Sequence, residues 1–417
     1  MNARPIHRNG SSHAGSPRVS RRDWLTRTGL GSAGTLAVPW LLLSKTVRGA
    51  EEAAAGEPAP PPFQIAEVTT ISQLNAYHGW PTVARRKSGE LLLVYSGGRE
   101  AHVCPFGRVE LMRSRDDGAT WSYPQVILDS PIDDRDAGVL ETERGTILVT
   151  TFTSLGYEPI LKRAEEAVGT EKAWPAERLR RWQAAHERLD AAGRDAALDV
   201  WMTRSVDNGI TWSQRQRCLV DSPHGPIQLR DGRLLYAGKE LWKGQGRIGV
   251  CQSVDDGVTW EWLAEIPARQ GDNPAQYHEL HAVETADGRL IVQIRNHNRQ
   301  NAGETLQCES EDGGKTWSEP RAIGVWGLPS HLLRLRDGRI LMTYGYRRAP
   351  FGCQARISED GGRSWSGPIL IYGDGAGSDL GYPSTVELGD GTLLTIWYEL
   401  PAGSSLAVLR QARWRWA

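Results

Sequence analysis

The sequence has almost no net charge, with 49 Lys and Arg against 50 Asp and Glu, and no dense basic run lies beyond its N-terminal segment. That excludes the electrostatic footprint of a nucleic-acid binder and points to a small molecule or a sugar as the partner. Long apolar runs are missing too. The only candidate, Gly29 to Leu43, falls short of the roughly 20 residues that a spanning helix needs. Cysteine is sparse and scattered: Cys104, Cys218, Cys251, Cys308 and Cys353 stand singly with no Cys-x-x-Cys pair, which excludes a zinc ribbon or a disulfide-stapled scaffold. An odd count leaves at least one thiol outside any intramolecular disulfide. No Asp-rich calcium loop of clear spacing appears, so no metal and no cofactor is assigned. The oligomeric state is not encoded in any feature of the sequence.

What is present begins with an export pattern. Ser20-Arg21-Arg22-Asp23-Trp24-Leu25 precedes the apolar stretch, and Val47-Arg48-Gly49 and Ala53-Ala54-Ala55 follow it as small-residue cleavage sites. This reads as a twin-arginine signal over residues 1–50, with a periplasmic or secreted destination and no membrane attachment after cleavage. A Pro/Ala-rich linker, residues 51–62, leads into the folded region, residues 63–417.

Two internal repeats set the architecture of that region. Ser114-Arg-Asp116-Asp-Gly118-Ala-Thr120-Trp121 returns at 205–212, 253–260, 310–317 and, with Ser364 in place of Thr, 358–365. Its chemistry is that of a turn: the Asp accepts from backbone N–H groups, the Gly supplies a positive φ, and the Trp packs between neighbouring units. The second repeat is a hairpin, two apolar strands joined at Ser88-Gly89, Arg144-Gly145, Asp231-Gly232, Asp287-Gly288, Asp337-Gly338 and Asp390-Gly391. Six hairpins predict an all-β, six-bladed β-propeller, with the strand-rich segment Ile65 to Ser72 completing the last blade and closing the ring. One segment breaks the rhythm. Residues 158–198 are rich in Ala, Glu, Arg and Leu without strand alternation, which predicts two helices split near Trp174-Pro175, inserted in or after blade two as a lid or a dimer contact.

The repeated turn is the Asp box, and by it the chain resembles the sialidase (neuraminidase) superfamily over roughly Phe63 to Ala417. Asp boxes are shared with non-enzymatic propellers, so the site has to be argued residue by residue. The resemblance implies a Tyr nucleophile paired with a Glu, an arginine triad for the substrate carboxylate and an Asp acid/base on a loop. A neutral phenol suits an anomeric carbon that bears a carboxylate, because it escapes the repulsion an anionic nucleophile would meet. Onto this sequence the resemblance carries Tyr382 as nucleophile, Glu279 as its base, Arg295 as the second arginine and Arg347, or its neighbour Arg348, as the third. Two positions depart from the pattern. Blade one opens with His78-Gly79-Trp80-Pro81 where the family has Phe-Arg-Ile-Pro, and the acid/base loop, Ser96-Gly-Gly-Arg99-Glu100-Ala-His102, has no Asp.

Other residues are candidates for those vacant roles. His102, Glu100 or an Asp of the run Asp134 to Asp136, with Asp134 foremost, would protonate the leaving group. His78, His224 and His331 each stand near the start of an inner hairpin strand, as Glu279 and Tyr382 do, and with Arg99 and Arg135 they are candidate substrate-binding groups around the propeller axis. The leading expectation is an exo-glycosidase, sialidase-like, acting on a glycan or glycoconjugate with a terminal carboxylate-bearing sugar. A His/Tyr-dependent polysaccharide lyase or rhamnosidase-like enzyme on uronate polymers is the second reading, and a glycan-binding propeller without catalysis is the third.

Overall fold

In the computed structural model, residue 59 and residues 62–417 are described, apart from 73, 74 and 301. The export signal and most of the linker lie outside the described residues. The folded region is a six-bladed β-propeller in which every blade is a four-stranded antiparallel sheet. Blade one comprises β2 (Tyr77–Arg85), β3 (Leu91–Arg99), β4 (Arg108–Ser114) and β5 (Gln125–Leu128). Blade six is built from both ends of the chain: β22 (Leu380–Glu387), β23 (Leu393–Glu399) and β24 (Val408–Trp416) are completed by β1 (Phe63–Thr70), which pairs antiparallel with β24 from Phe63↔Trp416 to Thr70↔Arg410. The predicted ring closure is therefore the observed one.

The Asp boxes hold as polar turns. In the first, Gly118 N donates to Ser114 Oγ at 2.8 Å, while Thr120 N and Thr120 Oγ1 donate to the two Asp116 oxygens at 2.9 and 2.6 Å. These hydrogen bonds, led by the Thr120 hydroxyl, hold the Asp116 carboxyl down at about 2. The same set recurs around Asp207, Asp255, Asp312 and Asp360. The tryptophans then tie blade to blade: Trp121 Nε1 of blade one donates to Gln411 of blade six, and Trp365 Nε1 of blade five to Gln307 of blade four. Six clusters of buried apolar side chains are each filled from two adjacent blades, so burial glues the ring at every seam. All five cysteines are buried and free, four of them within these layers and Cys104 in a separate cluster at the helical insertion.

The insertion falls inside blade two, between β7 (Ile147–Ser154) and β8 (Val200–Ser205). It holds three helices and not two: α1 (Glu158–Glu166), α2 (Ala176–His186) and α3 (Ala191–Ala197). The break at Trp174-Pro175 is as expected. The additional helix starts where the Asp190 side chain accepts from Gly193 N at 2.7 Å, an N-cap within the run read as one helix.

Candidate active site

In four blades one position of the inner strand lies in the left-handed region: Trp80 (φ 53°), Asp136 (45°), Glu279 (45°) and Tyr382 (54°). Each stands nine residues before its hairpin glycine, Gly89, Gly145, Gly288 and Gly391. The ladder slips at the same place every time, between Gly79 and Thr82, Arg135 and Gly138, His278 and His281, and Gly381 and Ser384. A bulge of this kind re-aims one side chain out of the pleat. Holding a non-glycine residue there costs on the order of 1 kcal/mol or more, a strain that folded proteins concentrate at functional sites.

The bulges bring blades four and six into contact. The Tyr382 hydroxyl donates to Glu279 Oε1 at 2.5 Å, Arg295 Nη1 donates to Glu279 Oε2 at 2.5 Å, and the same Nη1 reaches the Tyr382 oxygen at 3.2 Å. Burial would raise the Glu279 carboxyl, but Arg295 and the Tyr382 hydroxyl together hold it below its usual value. Burial, with Glu279 adding to it, pushes the Tyr382 phenol well up. The pair is thus a neutral phenol on an ionised carboxylate. Arg347 closes the far side: its Cζ lies 5.6 Å from the Tyr382 ring, Nε donates to Leu380 O at 2.8 Å and Nη2 to the Tyr398 hydroxyl at 3.2 Å. Arg348 turns away onto Trp326.

A second polar group borders the first. His102 Nδ1 lies 2.9 Å from Asp379 Oδ1 and 2.9 Å from the Tyr77 hydroxyl, while Tyr77 and Tyr398 both donate to Asp379. The imidazole stands edge-on to Trp80 at 5.0 Å, and Trp80 is 6.4 Å from Tyr382, so aromatic rings connect the two groups. The His102 side chain remains 39% exposed. Burial lowers its pKa, and Asp379 offsets only part of that. Arg135 lies over Trp80 at 4.2 Å and donates to His102 O at 3.1 Å. Asp136 is buried with an unpartnered Oδ1, and burial, reinforced by Glu279 against the pull of Arg135, lifts its carboxyl to about 7.

The remaining candidates are held in other contacts. Arg99 lies 4.9 Å over Trp80 and donates to His102 O at 3.0 Å, but its guanidinium is tied into a fully buried pair with Asp133 at 2.6 Å. Asp134 accepts from Ser130 N at 2.7 Å, and burial raises it to about 8. Glu100 is bound by the helical insertion. His78 packs edge-on against Tyr95 at 5.2 Å. His224 and His331 join His281 in a buried cluster with ring separations of 4.7 to 5.2 Å. Among the described residues, no group of His, Cys, Asp and Glu has metal-ligating geometry.

The sequence pattern of the BNR repeat-like domain matches residues 178–395. This chain belongs to the sialidase/BNR-repeat propeller superfamily. It is 25% identical over 263 residues to a sialidase of Micromonospora viridifaciens, an overlap of 52% of this chain and 37% of that protein, so it spans little more than a third of its relative's length. Among solved structures, a Dyadobacter fermentans protein of unknown function superposes with a TM-score of 0.68 at 22% identity, over 86% of this chain and 100% of the other. The intramolecular trans-sialidase of Ruminococcus gnavus, solved with oseltamivir carboxylate, gives 0.58 at 17% identity over 81% and 94%. At these identities the structural likeness speaks for the propeller fold.

For this BNR-repeat propeller, residue-by-residue comparison with the family motif named Tyr382, Glu279, Arg295 and Arg347. It missed Tyr77, Asp379 and Tyr398 as members of the pocket, and it gave Asp136 no precedence over Asp134. Counting nine residues back from each hairpin glycine finds Trp80 and Asp136 without any resemblance. No local signal finds Tyr77 and Asp379, which meet across the ring closure.

Proposed function

We propose that this chain is an exported exo-glycosidase that releases a terminal, carboxylate-bearing sugar, sialic acid being the substrate that the superfamily suggests. The observation that carries the reading is the contact of the Tyr382 hydroxyl with Glu279 Oε1 at 2.5 Å, with Arg295 Nη1 donating both to Glu279 Oε2 and to the Tyr382 oxygen. Tyr382 attacks the anomeric carbon, its proton passes to Glu279, and Arg295 stabilises the charge that develops on the phenolic oxygen. The bond to the leaving oxygen breaks as His102 Nε2–H gives that oxygen its proton. Water then attacks the anomeric carbon, giving its proton to the now neutral His102 as the carbon–Tyr382 oxygen bond breaks, and Glu279 returns a proton to Tyr382, so configuration is retained over two displacements.

Arg295 and Arg347 hold the substrate carboxylate, and Arg135, stacked on Trp80, contributes the third guanidinium in place of the arginine that blade one lacks. Asp379 orients His102 through Nδ1, leaving Nε2 to face the substrate. Release of 4-methylumbelliferone from its sialoside by the purified protein, abolished in Tyr382→Phe, tests the reading. Equal turnover by the two proteins, or none by either, would sink it.

A uronate lyase is the second reading, favoured by the cluster of Tyr77, His102 and Tyr398 around Asp379, which could carry a proton to and from a sugar carbon. Growth of the ultraviolet absorbance of an unsaturated uronate on acidic polysaccharides would select it. Export rests on Arg21 and Arg22. Loss of the protein from the periplasm or medium in Arg21→Lys/Arg22→Lys is the expected result.

A further inference from the structure

Blade two's helical insertion packs against the loop that carries His102. Residues 100–107 join β3 to β4, and Glu100 at the start of this loop receives three donors from a single helix: Arg178 Nε on one oxygen, Arg181 Nη2 on the other at 2.5 Å, and Trp182 Nε1 at 3.3 Å. Positions 178, 181 and 182 share one face of α2, so the helix presents a ready-made fork to the carboxylate.

Apolar contacts reinforce that grip. Cys104 in the loop and Trp182 in the helix are almost wholly inaccessible, and they cluster with Tyr157 and Leu161 of the insertion. Phe106 meets the Trp182 ring edge-on at 6.1 Å, and the Arg181 guanidinium lies 5.6 Å over Phe106. On the inner side, Arg99 and Arg135 both donate to the His102 carbonyl, at 3.0 and 3.1 Å. The loop is thus clamped between the insertion and the two blades, with the imidazole projecting toward Asp379. A cavity of about 550 Å³ opens beside the clamp and is lined in part by Glu100, Phe106, Arg108 and Arg181, but not by Tyr382 or Glu279.

We propose that the insertion is a positioning device for His102, with Glu100 as the residue that transmits it. The inference rests on the reading of His102 as the proton donor. A proton donor matters most when the leaving group is a poor one, so misplacing it slows an alcohol leaving group far more than an activated phenol.

The test uses the full chain and the Glu100→Gln variant on two substrates, sialyllactose and 4-methylumbelliferyl sialoside, together with hydrogen exchange of residues 100–106. The expected result is a fall in kcat on sialyllactose on the order of 10²-fold, with KM nearly constant, the aryl sialoside within a few-fold of wild type, and faster exchange of the loop. Glu100→Asp, which keeps the charge, should recover part of the rate. Parallel losses on both substrates, or unchanged exchange, would overturn the proposal. If the wild type cleaves neither sialoside, the functional reading fails and exchange alone decides the clamp: faster exchange upholds it and unchanged exchange ends it. Should Glu100→Gln not fold, Arg178→Ala/Arg181→Ala removes the same donors from partly exposed side chains and is read identically.

Discussion

Removing the Tyr382 hydroxyl should separate stability from activity, because the charge pair behind it survives. In Tyr382→Phe, Glu279 keeps its 2.5 Å contact with Arg295 and loses one hydrogen bond, and Arg295 loses a second, longer one. Hydrogen bonds to charged groups contribute about 1.5–3 kcal/mol each, but the apolar ring remains and the hydroxyl's own desolvation is recovered, so the net cost should be about 1–2 kcal/mol. In a domain of this size that lowers Tm by only a few degrees. The reaction, however, loses the group that forms the covalent bond, and kcat/KM should fall by on the order of 10³ or more, equivalent to about 4 kcal/mol. Glu279→Ala inverts the balance of effects. It leaves the buried Arg295 guanidinium without its carboxylate, a loss of about 3–5 kcal/mol that appears in thermal melts as well as in rate. The assay is sialoside turnover beside calorimetry on the same three proteins. If Tyr382→Phe keeps more than about a tenth of the wild-type rate, Tyr382 is not the nucleophile, and if it melts as low as Glu279→Ala, its hydroxyl is a structural tie.

Three further outcomes follow from the same geometry. Glu279 must be ionised and lies below its ordinary 4.5, while His102 must be protonated and lies below 6.5, so kcat/KM should peak in the acid range and decline as pH rises through a value below 6.5. His102→Asn should remove that decline on sialyllactose; a limb near 7 that disappears instead in Asp136→Asn would make Asp136 the proton donor. Burial lowers His224, His281 and His331, the last to about 3, so the unfolded chain binds more protons below pH 6.5, and stability present above that value is lost as pH falls toward the folded values. At about pH 5 this amounts to about 2 kcal/mol for His331, opposed by Asp134 and Asp136, and His331→Gln should shrink the pH 7 to pH 5 loss by that amount in melts at the two pH values. Finally, a Cβ at Gly345 would stand 2.7 Å from Leu328 O and 2.8 Å from Gly381 Cα, so Gly345→Ala should lower both Tm and kcat by displacing the residue that precedes Tyr382; a variant with normal kcat would show that this backbone contact does not set the nucleophile.

How far the sequence could be read follows from where each signal lies. An Asp box is local: its Ser, Asp, Gly and Thr satisfy one another within seven residues, so the motif and its fold consequence can be found in one window. A hairpin glycine is local in the same way, and the six of them count the blades. The Tyr77–Asp379 contact joins residues 302 apart, and it exists only because β1 closes the ring on β24. The insertion's third helix depended on a single Asp190 cap inside a run of uniform composition.

The nine-residue interval also explains how the site can depart from its family without losing its shape. The four bulges are backbone features, maintained by strand pairing and the blade seams, and each accepts whatever side chain stands there. In blades four and six that is Glu279 and Tyr382; in blades one and two it is Trp80 and Asp136. The side chain of Trp80 is a flat apolar surface, on which Arg135 from the next blade rests its guanidinium at 4.2 Å. On the proposed function, this puts a guanidinium from the neighbouring blade beside a bulge that carries none of its own. Trp80→Ala should accordingly weaken substrate binding through Arg135, raising KM more than it lowers kcat, whereas a role for Trp80 confined to packing would lower Tm and leave KM alone.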